Sequence, residues 1–62
     1  MTPPRMSNTD AAALARKYRD RARNYESLAE NEHDSVERQE LLDVAVAYTE
    51  AAEALELYEE SQ

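Results

Sequence analysis

The tetrapeptide Glu30-Asn31-Glu32-His33 sets a carboxylate and an imidazole three residues apart. That is the spacing by which one helical turn offers two ligands to an iron or zinc ion. A complete centre of this kind needs further carboxylates from facing helices, and the motif sits where the helical pattern of the chain frays. His33, the single histidine, is therefore expected in a turn, exposed or, when protonated, near the carbonyls that end a helix. No metal and no cofactor is expected. The chain has no Cys and no Gly, which excludes thiol nucleophiles, zinc knuckles, disulfides and glycine loops that cradle phosphate. No nucleophile–base pair is recognisable, so the expectation is a protein that is not an enzyme and takes no small-molecule substrate.

What the chain does carry is charge. Lys and Arg number 7 against 14 Asp and Glu, a net charge of −7. The distribution is uneven. Residues 1–24 hold Arg5, Arg16, Lys17, Arg19, Arg21 and Arg23 against Asp10 and Asp20, whereas residues 25–62 hold Arg38 against twelve acids. The basic run RKYRDRARNY supports two readings. In the first, Arg16, Arg19 and Arg23 on one helical flank, and Lys17 and Arg21 on the other, are the counter-charge to an acidic second helix. In the second, Arg16, Arg19 and Arg23 bind RNA, with Tyr18 or Tyr25 as stacking groups. The first is favoured, because both tyrosines belong to an apolar stripe and net negative charge repels phosphate. The acids Glu40, Asp43, Glu50, Glu53 and Glu56 are the candidate surface for a partner protein with a basic face.

The elements that place these groups follow from periodicity. Ala11, Leu14/Ala15, Tyr18, Ala22, Tyr25 and Leu28/Ala29 recur every three or four residues and predict a helix over about 9–31, opened by Ser7-Asn8-Thr9-Asp10. ENEHDS (30–35) holds no apolar residue, so a turn is expected at about 32–34. Asp34 reads as the cap of a second helix over about 35–59, with Glu37 as its reciprocal capping partner. The second apolar seam is read as Leu41, Val44, Tyr48, Ala51, Leu55 and Tyr58. Residues 1–7, with Pro3-Pro4, are expected to be a disordered lead. So short a connection makes the helices antiparallel, an all-α two-helix hairpin. Pivoting near residue 33, such a hairpin sets residues 16–23 opposite roughly 43–50, so that the arginines meet Asp43 and Glu50, with Glu40 and Glu53 just beyond.

A hairpin of this size buries little, and its seam is rich in alanine, of which the chain has eleven. Self-association into a homodimeric four-helix bundle is therefore expected, with Leu42, Val46 and Leu57, which lie off the main stripe, as contacts.

Tyr18-Arg19, Ala22, Leu28-Ala29, Asp34-Ser35-Val36-Glu37-Arg38, Leu41-Leu42, Ala45, Tyr48 and Ala52 together resemble a pattern of short uncharacterised bacterial helical-hairpin proteins, YRxxA…LA…DPxxRxxLLxxAxxY. The resemblance spans about residues 18–52 and departs at Ser35, where the pattern has Pro. It implies a fold and no activity. In size and hairpin plan the chain is also similar to ROP-type bundles, which implies a capacity to bind paired RNA loops with one helix face. In size and charge it resembles small acidic phage and plasmid proteins that inhibit nucleases and CRISPR complexes. With no apolar run long enough to span a bilayer and no secretory pattern at the N-terminus, no membrane association and a cytoplasmic location are expected.

Overall fold

A computed structural model describes the backbone of residues 8–60 and the side chains of residues 10–58. The expected lead over 1–7 lies outside the described residues, as does the cap at Ser7. The chain forms helix α1 (Asn8–Glu30) and helix α2 (Ser35–Glu60), packed against each other as an antiparallel hairpin. No strand occurs among the described residues.

Both helices follow from composition. Alanines, leucines and straight-chain charged residues have high helix propensity, and no Pro or Gly interrupts either run. α1 ends without a left-handed residue. Its last carbonyls are satisfied locally instead. The Asn31 amide nitrogen Nδ2 donates to the Ser27 carbonyl at 3.1 Å, and the backbone N–H groups of Asn31 and Glu32 donate to the carbonyls of Leu28 and Ala29 at 3.2 Å each. The last turn of α1 has no basic residue to meet the negative end of the helix dipole. Arg38 supplies that charge from α2: its Nε and Nη2 donate to the Glu32 carbonyl at 3.1 and 3.0 Å. The one cation after Asn24 thus ties the start of the second helix to the end of the first.

Asp34 caps α2. Its Oδ1 accepts the backbone N–H groups of Val36 at 2.8 Å and Glu37 at 3.1 Å. The reciprocal half of the expected capping box is filled differently. The Asp34 N–H donates to Glu32 Oε1 at 3.1 Å, and the Glu37 carboxyl turns onto Glu32 instead. Glu32 lies two residues before Asp34 and reaches it without folding back over a helical turn. Asp34→Ala should lower stability by about 0.5–2 kcal/mol, read as a drop in urea midpoint with unchanged slope.

The buried residues are alanines: Ala11, Ala15, Ala22 and Ala29 of α1, Ala45 and Ala52 of α2. Among the described residues no large side chain is fully buried. This corrects the seam expected for α2. Ala45 and Ala52 face α1, while Val44 is 38% exposed and Ala51 is half-buried. The helix is turned by about half of one residue's 100° step from the expected face, so that Leu41, Tyr48 and Leu55 stay on it while Ala45 and Ala52 replace Val44 and Ala51. Ala15, Ala22 and Ala29 repeat at seven-residue intervals, as do Ala45 and Ala52, and the spacing between packed helices depends on the side chains at the contact. Methyl against methyl allows close approach of the backbones at these positions. The larger apolar residues flank this strip toward the two edges of the hairpin, half-buried or exposed.

Candidate functional site

One edge is aromatic. Tyr48 of α2 lies between two tyrosines of α1, with ring centroids 5.7 Å from Tyr18 and 5.7 Å from Tyr25, the latter stacked at 15°. Arg21 covers the outer face of this cluster: its guanidinium carbon is 5.8 Å from the Tyr48 ring centroid and its Nη1 is 3.4 Å from the Tyr48 hydroxyl. Arg21, Asn24, Tyr25, Leu28 and Tyr48 line a hollow of about 300 Å³. Nearer the turn, Glu32, Glu37, Glu40, Leu41 and Val44 line another of about 350 Å³. In that second hollow the Glu37 carboxyl is held above its ordinary pKa, first by its hydrogen bond with Glu32 and by the like charge there, then by desolvation and the charge of Glu40.

The opposite edge is ionic at one end and apolar at the other. Arg19 grips Glu56 with two parallel bonds, Nε to Oε2 at 2.8 Å and Nη2 to Oε1 at 2.6 Å. This bonding holds the Glu56 carboxyl below the usual carboxylate range and raises Arg19 further, with a smaller contribution from Glu53. Arg19 therefore meets neither Asp43 nor Glu50. Helical side chains lean toward their own N-terminus, so in an antiparallel pair Arg19 leans away from the turn and Glu56 leans toward it. That tilt carries the contact past the position given by folding the sequence about residue 33. Arg23 bonds Asp20 within α1, and Arg16 is exposed. Of the three arginines considered for RNA, two are thus engaged by carboxylates of the same chain.

Toward the turn on this edge, Leu42, Ala45, Val46 and Thr49 floor a hollow of about 550 Å³ whose remaining lining residues are Glu26, Glu50 and Glu53. Leu42 and Val46, expected as one self-association surface with Leu57, lie together here. Leu57 does not join them; it is 64% exposed and repeats in sevens with Asp43 and Glu50 along the outer stripe of α2. Of the expected acidic surface, Glu40, Asp43, Glu50 and Glu53 are exposed, Asp43 accepting a bond from Gln39 Nε2 at 2.9 Å, while Glu56 is turned inward to Arg19. Sequence reading missed Glu26 as part of the acidic surface, though it lies seven residues from Arg19 on the same flank.

The ion pair sets a pH dependence. The Glu56 pKa is depressed on folding, so its contribution to stability is present above the unfolded carboxylate pKa and is lost as pH falls through the lower folded value. Glu37 is raised, so its contribution has the opposite sign: present below the unfolded pKa and lost as pH rises through the folded value. Glu56→Gln should therefore flatten the acid limb of a stability-against-pH curve, and Glu37→Gln the limb just above the usual carboxylate range. Denaturant midpoints between pH 3 and 7 check both.

Glu30 and His33 are exposed at the end of α1 and in the turn. Among the described residues no group of three or more His, Asp or Glu is placed to hold a metal ion, and no helix is long and apolar enough to cross a membrane. No protein-family model, curated protein or solved structure matches the chain.

Proposed function

We propose that this protein is a non-catalytic acidic interaction module that pairs with itself and binds a partner protein bearing a basic surface, covering that surface as an inhibitor or adaptor does. One observation carries the reading: among the described residues only alanines are buried between the helices, and the larger apolar residues are left half-buried or exposed along two edges. Chains of this size reach stability by adding an oligomer interface or a partner.

The partner's chemistry is read from the edge of α2 that holds Leu42 and Val46. Glu26, Glu50 and Glu53 form no internal ion pair among the described residues. A basic segment with apolar residues set among its cations matches an apolar floor with a carboxylate rim. Basic segments of that kind commonly serve to hold nucleic acid, which is the sense in which occlusion would inhibit. Leu42 and Val46 are accordingly assigned to the partner rather than to self-association, since the acid rim of a second copy would repel this one.

The test is capture by the full chain from its native host, set beside a Glu50→Lys/Glu53→Lys double variant. A basic protein held by the wild type, lost at high salt and absent with the double variant, supports the reading. Recovery of a specific RNA, abolished by Arg16→Glu, would replace it with the RNA-binding alternative.

A further inference from the structure

We propose that two copies of this chain pair through the aromatic edge about a two-fold axis, Arg21 of each copy entering the acidic hollow of Glu32, Glu37 and Glu40 on the other. The proposal rests on the self-association read above and assigns it a face and a charge contact.

Three observations lead there. The first is area. Among the described residues only alanines are buried, so the hairpin alone hides little apolar surface, and a chain of this size gains stability by adding an interface. The second is charge. A protein of net charge −7 meets its own copy at least cost where a cation of each copy can face the acids of the other. Leu28, 55% exposed, and Val44, 38% exposed, lie on this edge beside the tyrosine cluster, and the hollow around Leu28 has Arg21 as its one charged lining residue.

The third is order along the edge. The Arg21 hollow lies farther from the turn and the Glu32–Glu37–Glu40 hollow nearer to it. Leu41, Val44 and Tyr48 step along α2 at intervals of three and four and join the two. In a two-fold interface residue i meets j while j meets i. A two-fold axis perpendicular to the helices and passing between the hollows exchanges them, so the cationic hollow of one copy faces the acidic hollow of the other twice per dimer. Leu28 and Val44 flank the axis and are covered. The crowding of carboxylates that raises Glu37 is the local excess of negative charge that a guanidinium from outside would relieve.

Sedimentation equilibrium of the full chain over micromolar concentrations, with circular dichroism to follow helicity, tests the assignment. The wild type should dimerise. Arg21→Glu should raise the dimer dissociation constant at least tenfold with helicity retained, Glu40→Arg should do the same, and the two together should recover most of the loss. Leu42→Asp/Val46→Asp should leave the dimer intact. A dimer indifferent to Arg21→Glu, or one not recovered by the charge exchange, overturns this face while leaving self-association standing. Dissociation by Leu42→Asp/Val46→Asp would move the interface to the opposite edge. A wild type that stays monomeric and folded throughout overturns the self-association reading itself.

Discussion

Ala52→Leu is expected to be the most damaging single substitution in the described chain. Ala52 has no exposed surface, and its methyl lies at the plane where α1 and α2 meet. Leu adds three carbons there, which the pair can accept only by separating the helices or forcing strained rotamers, at about 1–3 kcal/mol. For a domain this small each kcal/mol moves the melting temperature by roughly 4–8 °C, so a fall of about 4–24 °C is expected. Ala54→Leu supplies the control. Ala54 is exposed on the same helix two residues on, and there the larger residue should change stability by no more than about 0.5 kcal/mol. Hydrophobicity rises equally in both variants, so a difference between them isolates packing distance. Thermal melts at several protein concentrations would separate this effect from any change in dimerisation.

Glu50→Lys together with Glu53→Lys is expected to weaken binding to the basic partner about 100-fold, near 3 kcal/mol at 25 °C. Two carboxylates that attract cations become two ammonium groups that repel them, and like charges across an interface cost several kcal/mol. The dissociation constant of the wild type should rise with salt while that of the double variant depends on salt much less, since its attractive charge is gone. Neither residue holds the hairpin together; both are exposed and lie outside the Arg19–Glu56 and Arg23–Asp20 pairs. Helicity and dimerisation should therefore be unchanged, which confines the loss to the partner. Isothermal titration at two ionic strengths reads both expectations.

The hairpin was legible because its signals are local. ENEHDS has no apolar residue to continue either stripe, and Asp34 ahead of Ser35-Val36-Glu37 is a cap that needs only three residues to recognise. The face of α2 that meets α1 was harder. The expected stripe and the one that packs share Leu41, Tyr48 and Leu55; they differ in whether Val44 and Ala51, or Ala45 and Ala52, lie between. Counting apolar area favours valine. Close approach of two backbones favours alanine, and the signal was present as alanines seven residues apart in both helices.

The charge contacts were legible in kind and not in partner. That the arginines of α1 would answer acids of α2 follows from the sign of each segment; that Arg19 chooses Glu56 depends on side-chain lean and on the length of the turn, neither of which appears as a pattern. The same holds for Arg38, whose two bonds to the Glu32 carbonyl cross the turn. The hollows at the two edges could not be read at all before the helices were set against one another. Each combines residues of both helices or of the turn, so each exists only in the folded register.

The two helices meet on a strip of alanine methyls, with the larger apolar side chains flanking it, half-buried or exposed. Nuclear Overhauser contacts of the Ala45 and Ala52 methyl groups, measured in the full chain with Tyr48 as internal reference, test it directly. The expected spectrum shows both methyls close to protons of α1 within the same chain, and the Tyr48 ring close to those of Tyr18 and Tyr25. Ala45 and Ala52 methyls without any contact to α1, with Val44 and Ala51 making those intrachain contacts in their place, would contradict it.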